Sequence, residues 1–161
     1  MSDEGRDPMF TWYRLFTFVH IMAAILWIGG ATIMAALSAR LARVGEHSAL
    51  QVVARQNEFV GRALLGPAAL ITLLAGLALM GLSRLGLPLW MAWGLAGALG
   101  SMALGGGYLA VTGRKLAEEA RSEQPDRGRM AALQRRLSIG TVLNIALLVS
   151  VVWAMVFKPE L

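Results

Sequence analysis

Four long apolar runs divide the chain: Leu15–Ser38, Ala63–Ser83, Pro88–Thr112 and Leu137–Phe157. Each is at least 21 residues long, and crossing the hydrocarbon core of a bilayer takes roughly 20 apolar residues at 1.5 Å each. Between the first two runs lies a polar segment carrying Arg40, Arg43, Glu46, His47, Arg55, Glu58 and Arg62. Much of it lacks Gly and Pro, so it extends the flanking helices past the membrane, with a break near Gly45. Pro67 sits in the first turns of the second run, where a missing N–H costs least. Arg84 to Leu87 form a tight connection into the third run, and residues 113–136 form a charged loop with a turn at Pro125-Asp126. The pattern predicts one all-α domain, a bundle of four transmembrane helices in up-down order.

Composition agrees. The chain is 57% hydrophobic and 16% charged, with a mean hydropathy of +0.59, where soluble domains carry about 25% charged residues. The net charge of +5 does not point to nucleic acid, because the basic residues sit between apolar runs, where topology and anionic lipid account for them. Eleven Lys and Arg fall in the segments 38–62 and 113–136, against Arg6, Arg14, Arg84 and Lys158 on the other side. The positive-inside rule then puts both long loops in the cytoplasm and both termini on the outer side. Trp12, Tyr13, Trp90, Trp93, Trp153 and Phe157 gather near that outer interface, as an aromatic belt does. The first 14 residues lack the basic n-region of a secretory signal, so the first run is expected to be retained.

The chemistry available is narrow. Cysteine is absent, which excludes disulfides, thiolate metal sites and thiol catalysis. The apolar runs hold no Asp or Glu, so a transmembrane relay built on carboxylates is excluded. A phosphate loop, a Ser-His-Asp arrangement and an HExxH motif are missing too. What remains centres on His20, the one ionisable side chain of the first run, and an ionisable residue inside a span is a functional candidate by default. His20 and Trp27 are seven residues apart, two helical turns, so they share a face. Gly29 and Gly30 just beyond them let a helix or a flat ligand approach the backbone.

His20 lies about 7–8 Å below the outer boundary at 1.5 Å per residue, near the depth of Met80, Met91, Trp93 and Met155. Imidazole ligates haem or copper, and thioethers suit Cu(I) or a sixth haem position. A metal set of His20, Met80, Met91 and Met155 competes with two plainer readings. Methionine fills gaps in apolar packing, and a membrane histidine can simply hydrogen-bond a neighbouring helix. Gly97, Ser101 and Gly105 form a small-xxx-small stripe for helix packing. Asn144 stands one turn from Gly140 and is expected to bond across to Tyr108, Thr112 or a backbone carbonyl; a polar ligand pocket is the alternative. His47 is expected to be solvated. Arg62 either snorkels or meets a lipid phosphate or a propionate.

Three pieces of the chain carry a family resemblance: His20-x6-Trp27-x-Gly29-Gly30, then Arg62-x-Leu64-x2-Pro67, and the closing Met155-Val156-Phe157-Lys158-Pro159. Together they resemble a group of small bacterial four-helix membrane proteins. The group comprises the CopD-like copper-resistance domains, the HemJ-type protoporphyrinogen oxidases and an uncharacterised family of predicted integral membrane proteins. The last fits nearly the whole chain. The resemblance implies residence in the bacterial inner membrane and, for HemJ-like members, haem b on the first-span histidine, here His20. Trp27, Gly29 and Gly30 would then lie near the ring, with Arg14 or Arg84 near its propionates. The third run has no His and Asn144 is followed by Ile145, two departures from HemJ that argue against porphyrinogen oxidation.

Three functions stand open on these residues. The first is an accessory or packing subunit without its own catalysis, in a homo-oligomer or larger membrane complex. The second is a haem b-binding redox protein with His20 as axial ligand, and the third is copper handling.

Overall fold

The computed structural model describes residues 8–44, 59–83, 86–122 and 124–159. Four long helices account for most of them: α1 (Pro8–Val44), α2 (Gly61–Ser83), α3 (Leu89–Glu119) and α4 (Arg127–Phe157). Each is long and apolar enough to cross a membrane, and no strand occurs among the described residues. The helices outrun the apolar segments that predict them. α1 continues to Val44, α3 to Glu119, and α4 begins at Arg127, because Arg, Lys, Ala and Leu in those extensions are good helix formers even in water. Gly45, His47 and Arg84 lie outside the described residues.

Two helices widen locally. The first turn of α2, Gly61–Leu65, is π-helical, with the Gly66 N–H reaching the Gly61 carbonyl five residues back. Pro67 follows at once, and its missing N–H leaves the turn before it a donor short, which a wide turn absorbs. The second π segment, Ala103–Leu109 in α3, contains Gly105, Gly106 and Gly107, where the backbone is least committed to α geometry.

The helix ends follow from their sequences. Gly86 takes φ +71° between α2 and α3, a left-handed conformation that glycine adopts without penalty. Pro88 then caps α3 in extended geometry. Asp126 caps α4, its Oδ1 accepting from Gly128 N at 2.8 Å and Arg129 N at 3.2 Å. Glu119 closes the same hairpin through Arg129 at 3.3 Å and accepts the Asp126 N–H at 3.2 Å. α4 stops at Lys158, left-handed with φ 44° and ψ 57°, just before Pro159.

The helices pair as two antiparallel hairpins, α1 with α2 and α3 with α4; α1 also touches α4, and α2 touches α3. The start of α1, the end of α4 and the Gly86 turn lie at one end of the bundle, the terminal end; the end of α1, the start of α2 and the turn between α3 and α4 lie at the other, the loop end. At mid-height all four helices contribute to one core: Trp27 from α1, Ala68 and Ala69 from α2, Ala98 from α3 and Leu148 from α4. The small alanines on α2 and α3 make room for the one indole. Outward, large apolar side chains stand open, Ile33 at 67%, Val142 at 66% and Val156 at 68% exposure. In water that surface would drive aggregation; in a bilayer it is the matching surface. A groove of about 560 Å³ between α1 and α2, lined by Phe18, Met22, Leu26, Pro67 and Ile71 among others, opens on this face.

Candidate functional site

α1 is one uninterrupted helix through His20 and Trp27, and both face the interior, His20 half-buried and Trp27 buried. His20 lies against α2. Its Nδ1 is 2.8 Å from the Thr72 carbonyl oxygen, and a side chain at Gly76 would place its Cβ 3.2 Å from the His20 Cε1. Gly76 is thus the seat for the imidazole. A carbonyl only accepts, so Nδ1 donates, and in the neutral imidazole that leaves Nε2 with its lone pair. No described residue bonds Nε2. The Thr72 hydroxyl turns away and donates to Ala68 O on its own helix at 2.8 Å.

The other residues marked for a cofactor or metal are placed as follows. Counting about 10 Å toward the terminal end from the core, the seven-residue steps Trp27 to His20, Ala98 to Met91 and Leu148 to Met155 reach one level. Met91 is buried there, and the Met155 methyl fills the notch over Gly94. Met80 stands one turn beyond Gly76, farther toward the terminal end. Arg14 lies at that end with its guanidinium over the Phe10 ring at 4.1 Å. Among the described residues, no group of three or more His, Asp or Glu could hold a metal ion.

Tested against a haem, the donor fits and the cradle does not. A lone-pair Nε2 whose partner nitrogen is pinned by a carbonyl is how ligating histidines are oriented. The Trp27 indole, however, is spent in the four-helix core. The Gly30 notch is filled by Leu65, whose Cδ2 lies 2.6 Å from where a Cβ would stand. Only Gly29 of that pair is open, with nothing within 4 Å.

The packing residues form a second cluster between α3 and α4. Gly97 receives Val151, Gly140 receives Leu109 and Tyr108, and the Asn144 amide nitrogen lies 3.9 Å from where a Cβ at Gly105 would stand. Ser101 and Asn144 are both buried, and Ser101 Oγ donates to Asn144 Oδ1 at 2.7 Å. This corrects the expected partner of Asn144. Tyr108 instead lays its ring against Gly140, while Thr112 bonds the Tyr108 carbonyl of its own helix at 2.7 Å.

Two residues escaped the sequence reading: Thr72, whose carbonyl holds His20, and Ser101 as the mate of Asn144. The available signal for the first was Thr72-x3-Gly76, a polar residue and a glycine one turn apart in an otherwise apolar run. Antiparallel pairing of the first two spans brings that turn opposite His20.

No curated protein and no solved structure matches the chain. The model of a family described as predicted integral membrane protein, DUF2269, matches residues 14–159. With four membrane-length apolar helices forming one bundle, the chain belongs to this family of integral membrane proteins.

Proposed function

We propose that the chain is an accessory membrane subunit that works by packing, through the outward face of α3, against another membrane helix. One observation carries the reading. Gly106, Gly107 and Gly113 have nothing within 4 Å of where a side chain would start, and Ala103 and Ala110 on the same face are exposed. A glycine inside a helix costs about 1 kcal/mol relative to alanine. Gly30, Gly76, Gly94, Gly97 and Gly140 offset that cost by receiving a neighbour's side chain. Gly106, Gly107 and Gly113 have no such return among the described residues, and they share one helix, where Gly29, Gly61 and Gly81, also open, are spread over α1 and α2; a second helix approaching α3 closely would supply it. The charge split and the resemblance to bacterial proteins support an inner-membrane location with both termini outside.

The test is the mass of the protein extracted from its native membrane in mild detergent. Wild type should run as an assembly larger than the 17.3 kDa chain, and Gly106→Leu should release the smaller species with an unchanged melting temperature. A wild type that is monomeric both in detergent and by cross-linking in the membrane would sink the reading.

A second reading is favoured by the free Nε2 of His20: a membrane redox protein with His20 as axial ligand to haem b, or a copper protein using His20 with Met91 or Met155. The likeness to CopD and HemJ supports it. Protein produced with a haem supply should then show a Soret band that His20→Ala abolishes. A band of full intensity in His20→Ala removes His20 as ligand.

A further inference from the structure

The two ends of the bundle treat their cations differently. At the terminal end Arg14 lies over Phe10 at 4.1 Å and Lys158 over Trp90 at 5.4 Å. Both charges rest on aromatic faces of the same chain. At the loop end Arg40, Arg114, Lys115, Arg135 and Arg136 are all exposed, and none of the five forms an ion pair among the described residues. Arg114 reaches only Ala110 O, one turn back, at 3.5 Å.

These five charges share one level. Arg40 and Arg114 each follow an apolar run by two residues, and Arg135 and Arg136 directly precede Leu137. Helix register says the same. Trp27 shares the core with Leu148, so thirteen residues on, Arg40 is level with Arg135. Tyr108 and Leu109 pack on Gly140 and Glu119 pairs with Arg129, which brings Arg114 and Lys115 level with residues 133 and 134. Since α4 touches both α1 and α3, the charges form one band over three adjoining helices. Among the described residues, no carboxylate is paired with it. Glu118 and Glu119 stand a turn farther out, about 6 Å; Glu119 is held by Arg129, and Asp126 caps α4.

We propose that this band binds anionic phospholipid headgroups, with phosphates bridged across the α3–α4 seam by Arg114, Lys115, Arg135 and Arg136, and with Arg40 extending the site onto α1. Guanidinium groups take phosphate oxygens in pairs, and basic clusters just outside membrane helices are where anionic lipids are held. Position selects lipid over an acidic protein. The band lies in the first turn beyond the apolar surface, at headgroup height, and the polar extensions of α1, α3 and α4 project past it. This inference does not depend on the subunit reading.

The experiment is thermal unfolding of the purified protein in a neutral detergent. Separate arms add phosphatidylglycerol, phosphatidylcholine with the same acyl chains, sodium phosphate, or polyglutamate. Phosphatidylglycerol should raise Tm by at least about 3 °C, as a ligand of the native state does, and the other three should not. The shift should vanish in R114Q/K115Q/R135Q/R136Q and persist in R14Q/K158Q. Native mass spectrometry of wild type gives a readout that needs no variant: retained phosphatidylglycerol should fall sharply between 0.05 and 0.5 M salt (about a fivefold loss or more), because screening weakens exposed charges. Equal shifts from both lipids, or a shift that survives in the quadruple variant, would overturn the proposal. So would retention indifferent to salt. A shift with phosphate alone would make this a site for soluble anions, and one with polyglutamate alone a protein-docking surface; either overturns the lipid assignment.

Discussion

At the scale of single residues, two polar contacts cross between helices in an apolar interior. Ser101 Oγ donates to Asn144 Oδ1 across a helix interface, which offsets the burial of those two oxygens. His20 is satisfied at one nitrogen only. Its bond to the Thr72 carbonyl is a supplementary one, since that carbonyl sits inside a helix. Interhelical bonds of this kind contribute about 0.6 kcal/mol on average in membrane bundles, and under 2 at most. His20→Gln, which keeps a donor, should therefore leave the melting temperature near wild type. His20→Leu should lower stability by about 1 kcal/mol, measured by unfolding in detergent. A loss several times larger, shared by both variants, would mean that a ligand on Nε2 is being lost along with the bond.

At the scale of elements, the glycines sort themselves by what faces them. On α3, Gly97 faces the branched Cβ of Val151, and Gly94 faces the terminal methyl of Met155. Valine is stiff at χ1, while methionine has three rotatable bonds and can swing aside. Gly97→Ala should thus cost about 1–3 kcal/mol as an overpacked contact, and Gly94→Ala clearly less. Equal melting temperatures for the two would mean that the hairpin α3–α4 yields as a whole and local stiffness does not govern it. The stripe Gly97, Ser101 and Gly105 packs inward on α4, so on α3 the open glycines are Gly106, Gly107 and Gly113. The π segment lies at this division, and its wider turn shifts residues after Ala103 around the helix axis relative to those before it.

At the scale of the molecule, orientation in the bilayer is the property on which the rest turns. The eleven-to-four charge split argues for termini outside and charged loops inside. A reporter fused after Leu161 should be active on the outer side, and one inserted near Gln124 on the cytoplasmic side. Reversed activities would move His20 to the cytoplasmic leaflet and the basic band to the outer face.

How much of this was legible in the chain depends on the range of the interaction that decides it. Four apolar runs, each long enough to cross the hydrocarbon core of a bilayer, determine four spanning helices by themselves, because backbone hydrogen bonds must be met within each segment in hydrocarbon. The same holds for the caps at Asp126 and Lys158, which are contacts between near neighbours in sequence. Which small residue faces a neighbour and which faces lipid could not be read, since Gly97 and Gly106 look alike in an apolar run and differ only by the rotation of α3. Nor could the partners be read: Ser101 for Asn144 and the Thr72 carbonyl for His20 depend on helix register, which side-chain interlocking sets. Trp27 makes the same point, since its place beside His20 followed from a seven-residue spacing. Its assignment to the core came only when Ala68, Ala69, Ala98 and Leu148 closed around it, three helices meeting the one side chain large enough to fill the space between them.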